Sequence, residues 1–509
     1  MWLGFKLSES INKQRSETSI NSKVINEASS LILSQYVDTI NPSFLYSNAL
    51  KGMINSLDPH TTWISSDELP AANEELEGSF YGIGVEFFFF HDTFTVSYVI
   101  EGSPAQQSKL LPGDKIVAVN DSLIAGKKLS HDDVLKKIKG ALHSQVKLRI
   151  LRPDGTGHTA IVTRGAVPLH SVTHACMLPD NTGYLSLRMF SETTYQEFAE
   201  VLTSMKKQGM QQLIIDVRDN PGGYMEAVGK ICNELIDKVD TLLVTKGNKH
   251  HRVIRAQKGG LFTTGKLAIL INEHAASASE ILAGVIQDLD RGIIIGRRSY
   301  GKGLVQEQYE LADGSALRLT TARYYLPSGR CIQKPYEDKP LSYHHEIEDR
   351  FEKGELDSTL KVSHYPRDRY TTRKGRTVYG HEGIRPDVFC PINRDTKNQL
   401  AYDELRTLVT KIANDYCFLY QKQLDTLSSP KALYDNQQVQ SSALNYLHQY
   451  IRDQNHKYSH KLNNPDKLLQ DEYLALIAKA KWGKSAYKQI QYTHDYMIEM
   501  ALEYLSKNN

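Results

Sequence analysis

The sequence predicts a mixed α/β protein, α+β overall, with helical regions at both ends, and three changes of hydrophobic period underlie that reading. Residues 80–165 contain short strand-like runs, GIGVEFFFF, TFTVSYVI, DKIVAVN and VKLRIL, separated by turn residues. Residues 183–336 alternate continuous apolar strands with amphipathic helices, the pattern of a parallel or mixed sheet covered by helices. From about residue 400 to the end the period is helical, as in Ile490, His494, Met497, Ile498, Ala501 and Leu505.

The chain is 509 residues long, more than one core holds, so two to four domains are expected. A net charge of +2 gives no field for nucleic acid or an anionic membrane surface, and no nucleic-acid partner is expected. The five cysteines, Cys176, Cys232, Cys331, Cys390 and Cys417, form no CxxC pair, which excludes a zinc ribbon and gives no disulfide framework. The first residues, MWLGFKLSES, are far shorter than the roughly 20 apolar residues of a membrane span and lack a full signal-peptide core. They read either as the tail of a membrane anchor or as a soluble start.

In chain order, residues 1–75 form an N-terminal helical region. Val24, Ala28, Leu31 and Ile32, then Leu45, Ala49, Met53 and Leu57, fall at helical spacing before a stop at Asp58-Pro59. Such an amphipathic pair packs on a partner domain or a second subunit, so a homo-oligomer through terminal helices is one expectation. Residues 76–166 form the small β module, with Pro104, Pro112-Gly113-Asp114 and Asp154-Gly155 at its turns and one helix at 131–139. Residues 167–398 form the α/β core, within which the charged, irregular stretch 335–380 reads as a surface excursion. Residues 399–509 form a C-terminal helical region.

Three apolar strands of the core end in unusual loops. LIIDV (213–217) runs into RDNPGG, KLAILIN (266–272) into EHAASAS, and GIIIG (292–296) into RRSYGKG. Sites in open α/β sheets form beyond the carboxyl ends of strands, so the three loops are candidates for one site. The second supplies a serine, Ser277 or Ser279, at the start of a helix whose buried stripe is Ile281, Leu282, Val285, Ile286 and Leu289. Small neighbours admit a substrate backbone, and free N–H groups of the first turn suit a developing oxyanion. Gly222 and Gly223 offer a further backbone donor, and the third loop offers Lys302 between two glycines. A serine hydroxyl needs a base, and a buried lysine without a counter-ion can act as one. Gln306 is placed to orient that amine. Together these make a coherent acyl-transfer site.

Each feature also has a plainer meaning. A serine before a helix most often only caps it, and Ser279 followed by Glu280 fits that role. Asn-Pro-Gly-Gly alone is a turn. Gly296-x-x-x-x-Gly301-Lys302 approaches a phosphate-binding loop, but Gly303 stands where Ser or Thr would hold magnesium, and LVQEQYEL follows as a strand rather than a helix. His344-His345-Glu346 and His250-His251 lack metal-ligand spacing, since Asp349 stands where HExxH needs a histidine. No metal and no cofactor is expected.

Taken in order, SLDPH, the strand-rich segment, IIDVRDNPGG, HAASASEILAGVIQD, YGKGLVQ, ARYYLPSGRCIQ and GIRPDV resemble the carboxyl-terminal processing peptidases, or tail-specific serine proteases, over residues 45–395. The resemblance implies a crotonase-like core with an inserted PDZ domain, and a serine endopeptidase acting through a Ser-Lys dyad. It implies Ser277 as nucleophile and Lys302, 25 residues later, as base. Gln306 and Asp288 would support them, Asp288 by ordering the site, and the oxyanion donors would be the N–H groups of Ala278 and of Gly223 or Gly222. Ala275 replaces the first serine of the family's motif, and Ser108-Lys109 replaces the Ala-Gly usual before the Leu-x-Pro-Gly-Asp turn. Tyr81, Gly82, Ile83, Gly84 and Val85 would bind the carboxylate and backbone of an apolar C-terminal tail, with Phe87 and Leu135 as walls. The implied partners are protein or peptide substrates with such tails. The implied location is the cell envelope, on the periplasmic side, held by an anchor upstream of the N-terminus. The competing expectation is a catalytically silent PDZ scaffold on a protease-like core.

Overall fold

The structure is a computed structural model describing residues 22–90, 93–237, 240–336, 343, 345–358, 368–392, 399–453, 467–492 and 495–507. The first residues, MWLGFKLSES, together with His344 and His494, lie outside the described residues. The chain divides into two compact units, one made of residues 1–69, 306–320 and 336–343, the other of the remainder.

In the first unit, helix 22–35 is followed by helix Pro42–Asn55. Asn41 caps the second by accepting from the Ser43 N–H, and Pro42 occupies the first helical position, where no N–H is needed. Both leave apolar side chains in the open, including Val24, Leu31, Phe44, Met53 and Leu57. Strand Thr62–Ile64 pairs antiparallel with the start of strand Ala316–Tyr325, Trp63 opposite Leu317. The turn before it is held by Asp58, which accepts from the N–H groups of His60 and Thr61 and the hydroxyls of Thr61 and Thr320. Burial raises the Asp58 carboxyl, but these bonds outweigh it and hold it below the usual range.

In the second unit, strand Ser79–Gly82 pairs with Gly165–Pro168, so the incoming and outgoing chains of the small β domain lie side by side. Between them five strands pair in the order Val85–Phe90, Thr93–Val99, Lys115–Val119, Gln145–Leu151, Gly157–Thr163. They enclose Ile83, Phe94, Val96, Ile116, Leu148 and Val162, with Val134 and Ile138 contributed by helix His131–Ile138. Ser130 and Asp133 form a reciprocal capping box at the start of that helix.

The larger sheet has six strands in the order Val172–Leu178, Thr182–Leu187, Gln212–Asp216, Lys266–Ile271, Ile293–Gly296, Val388–Phe389. All but the first pairing are parallel. Asp216 pairs with Leu270 and Ile271 with Gly296, so three carboxyl ends finish level and release their loops together. Helices Thr194–Lys207, Met225–Leu235 and Ala278–Asp288 bury one face around Phe198, Ile231 and Leu282. The last helix, Tyr496–Lys507, covers the other face through Met497, Ile498, Ala501 and Leu505.

Residues 408–490 build a helical core of their own around Ile412, Tyr416, Leu447, Tyr473 and Ile477. Glu86 of the small β domain pairs with Lys479 at 2.7 Å and also with Lys484. The chain from 399 to the end therefore serves two partners, with its helical core against the β domain and its last helix on the sheet. Among the described residues no helix is long and apolar enough to cross a membrane.

Candidate active site

Ser277 sits at the head of helix Ala278–Asp288 in an unusual backbone conformation, φ +54° and ψ −112°. A residue with a Cβ pays about 1–3 kcal/mol to stay there, and the surroundings hold it in place. The Ser277 N–H donates to Glu280 at 2.8 Å, while the Asn220 carbonyl accepts from Ala276 N–H at 3.0 Å and Ser279 Oγ at 2.9 Å. Ser279 is therefore buried and structural, and Ser277 is the half-exposed serine of the pair.

Glu280 ties the serine turn to the lysine loop. It is 0% exposed, and its two oxygens accept from Ser299 Oγ at 2.5 Å, Gly301 N–H at 2.7 Å, Lys302 N–H at 2.8 Å and the Ser277 N–H. Burial pushes its carboxyl up against the pull of those four donors. On the carbonyl side, the Tyr324 hydroxyl lies 2.8 Å from Lys302 O and 3.2 Å from Ser277 O. Residues 277 and 302 are thus joined through both the N–H and the carbonyl of each. No sequence spacing announced this role for Glu280 or Tyr324; the only signal was a glutamate three residues into a buried helix.

The RDNPGG loop approaches just as closely. A Cβ on Gly222 would lie 2.7 Å from Ser277 Cβ and 2.9 Å from Ala278 N, so only glycine fits there. The Gly222 N–H is occupied by Asn220 Oδ1 at 2.9 Å. The Gly222 carbonyl accepts from Phe190 N–H at 2.8 Å, and a trans peptide points its N–H the opposite way. The Gly223 N–H therefore faces away from Phe190 and has no partner among the described residues. Ala278, first in its helix, leaves its N–H without an intrahelical acceptor.

A strained serine on a strand-to-helix turn, backbone donors beside it and a lysine loop bonded to the same carboxylate are the parts of an acyl-transfer centre. Comparisons with known proteins agree. Residues 181–338 match Peptidase family S41, and residues 95–152 match the PDZ domain family. The chain is 32% identical to the carboxy-terminal processing protease CtpA of Bacillus subtilis, over 64% of its own length and 70% of the relative's. The chain belongs to the carboxy-terminal processing proteases.

It is also 30% identical to CtpB of Bacillus subtilis over 61% of its own length and 65% of the relative's. Among solved structures, a photosystem II D1 C-terminal processing protease aligns at 25% identity over 71% of this chain and 85% of that one, with a TM-score of 0.38.

The other expected site residues have the following partners. Asp288 ends the serine helix, eleven residues from Ser277, and is buried against Arg330 at 2.8 Å. It also accepts from Ser328 N–H at 3.0 Å, so its geometry is that of a scaffold ion pair. Gln306 belongs to the first unit, where its amide donates to the His60 carbonyl at 2.6 Å. Asp216, at the end of its strand, accepts from Tyr184 and pairs with Arg218, which reaches Asp495 at 2.7 Å ahead of the last helix.

In the PDZ domain, Tyr81 and Gly82 pair with Ala166 and Gly165, and the Ile83 side chain is core. The turn proper is Ile83–Val85. The Ile83 carbonyl accepts from Ala105 N–H and the Gly84 carbonyl from Ile100 N–H, at 2.7 and 3.0 Å. The N–H groups of Gly84 and Val85 are consequently aimed the other way. Strand Val85–Phe90 is the edge of its sheet, and Phe87 stacks near His131 at 5.1 Å, at the start of helix His131–Ile138.

Two charged residues of the expected surface excursion 335–380 are buried, and residues 337–342, 344 and 359–367 of it lie outside the described residues. Within it Arg350 is 3% exposed and Glu355 5%, because each neutralises the other beside Arg298.

Proposed function

We propose that this protein is a serine endopeptidase in which Ser277 attacks and Lys302 acts as general base. The observation that supports this best is Glu280, which joins the Ser277 and Lys302 backbones through one buried carboxylate. The Ser277 hydroxyl adds to the peptide carbonyl carbon as its proton passes to the neutral Lys302 amine. The oxyanion is received by the N–H groups of Ala278 and Gly223, the Gly222 donor being already engaged. The C–N bond breaks, and the Lys302 ammonium returns its proton to the departing amine. Water then adds to the acyl ester with Lys302 again taking its proton, and Lys302 returns that proton to the departing Ser277 Oγ as the new carboxyl terminus is released.

Substrate tails are read, in this proposal, by the PDZ groove. A terminal carboxylate meets the N–H groups of Gly84 and Val85, and an extended tail adds to the edge strand Val85–Phe90 beside Phe87 and Leu135. The proposed location is the cell envelope, tested by fractionating cells and probing for the chain.

The deciding experiment is cleavage of an unfolded protein with an apolar C-terminal tail. Cleavage by the parent chain, lost in Ser277→Ala and Lys302→Ala but kept in Ser279→Ala, is the expected result. Full activity in Ser277→Ala would overturn the assignment, and tail binding without turnover by the parent would favour the silent scaffold.

A further inference from the structure

We propose that the stretch 345–358 braces the Lys302 loop and that Arg350 is a positioning residue for the base. This rests on the reading of Lys302 as general base given above.

The loop from Arg298 to Lys302 is bonded on two sides. Its N–H groups at Gly301 and Lys302, with Ser299 Oγ, go to Glu280 of the serine helix. Two of its carbonyls go to Arg350, which donates to Arg298 O at 2.6 Å and Ser299 O at 3.2 Å. A third, Gly301 O, accepts from Lys334 N–H at 2.9 Å. Arg350 lies on helix Glu346–Glu352, and its remaining donor reaches Glu355 at 3.0 Å. Glu355 also accepts two bonds from Arg298, at 2.7 and 2.9 Å, while Glu346 receives Arg298 at 3.1 Å and Lys334 at 3.2 Å. Lys334 Nζ in turn stands 3.9 Å from the Tyr300 ring centre.

Arg298, Arg350 and Lys334 meet Glu346 and Glu355 in a largely buried network that also donates to backbone carbonyls, from Arg350 to those of Arg298 and Ser299 on the way to Lys302 and from Arg298 to that of Glu382. A buried guanidinium that donates to consecutive carbonyls fixes their peptide planes, and with them the direction in which the chain enters Gly301 and Lys302. Removing it leaves two buried carbonyls without a donor and half of the Glu355 charge uncompensated. The loop then relaxes on one side only, because Glu280 still holds the other. Misplacement of a base by about 1 Å costs on the order of 100-fold in rate.

The test uses the full chain with the unfolded tailed substrate, together with labelling of Ser277 by a fluorophosphonate probe. Arg350→Ala is expected to lower kcat and the labelling rate by about 10- to 100-fold with KM within about twofold. It should also displace the pH at which kcat/KM rises, and Arg350→Lys should recover part of each loss. Glu355→Gln, which keeps the shape of the network, should show the same pattern more weakly. Leu447→Ala, in the C-terminal helical core, supplies the comparison for general destabilisation. If Arg350→Ala and Glu355→Gln lose activity only as far as their Tm falls, as Leu447→Ala does, with the pH profile unmoved, the brace is wrong. Lys302→Ala in the same assay separates the two readings. Activity retained there overturns the base assignment, whereas activity lost there but intact in Arg350→Ala overturns the brace alone.

Discussion

The Lys302 loop and the PDZ groove hold their ligands-to-be in opposite ways. Around Lys302 the backbone is bonded on both sides, and the bonding groups, Glu280, Arg350 and Glu355, are almost wholly buried. In the groove the edge strand Val85–Phe90 keeps one side unpaired among the described residues, and Phe89 is 40% exposed. The proposed base needs a position fixed within a fraction of an ångström, whereas the proposed recognition by strand addition needs an edge left open. The difference shows why a charged segment and an apolar one exchange their usual places in this molecule.

Three changes probe that contrast, in descending order of expected effect. Glu280→Gln removes one acceptor oxygen from a carboxylate that serves four donors, so kcat should fall about 100-fold with little change in KM, measured by steady-state cleavage. Gly84→Val acts on the open side. Gly84 has φ +80°, and its Cβ would meet Ser103 Cβ at 2.2 Å, so the carboxylate turn must shift. KM for a tailed substrate should rise about 10-fold, and calorimetric binding of a tail peptide should weaken alike, while an amidated substrate is cleaved as before. Equal loss on both substrates would mean that the groove does not read the carboxylate.

The smallest effect is on pH stability. Burial, with Lys488 nearby, pushes the His174 imidazole down to about 4, where it bonds Ser485 at 2.8 Å. The unfolded chain takes up this proton below about pH 6.5 and the folded chain does not. Stability therefore falls as pH drops from about 6.5 towards 4, by on the order of 3 kcal/mol, and levels off below. His174→Gln should flatten that slope in denaturant titrations, and an unchanged slope would remove His174 as its source. The contact joins the sheet to the C-terminal helices, so mild acid should loosen this seam before it reaches the lysine loop.

The strand ends and the loops that follow them were legible because apolar runs followed by small residues and glycines have few other uses. Gly222 was legible for the same reason, since a glycine pair after a buried strand marks a close approach. The strand pairing of the residues before Ile83 was not legible. Tyr81 and Gly82 look like part of a loop, but they pair with Ala166 and Gly165 some 80 residues on. Glu280 read as a capping residue because its four donors come from two separate stretches, Ser277 and 299–302, and no local pattern encodes them. The burial of two charged residues was not legible for a related reason. Arg350 and Glu355 are charges that sequence logic sends to water, and only their mutual neutralisation beside Arg298 lets them be buried.

Pairing of Ser79–Gly82 with Gly165–Pro168 has an evolutionary consequence. A module whose two ends leave the host side by side can be lost, gained or traded by recombination without disturbing the register of the strands around it. The host would keep its chemistry and acquire a new reader. The constraint on such a trade lies outside the junction, at Glu86, whose partners Lys479 and Lys484 come from the far end of the chain. A transplanted reader that lacks an acidic residue there would arrive covalently attached and mechanically loose.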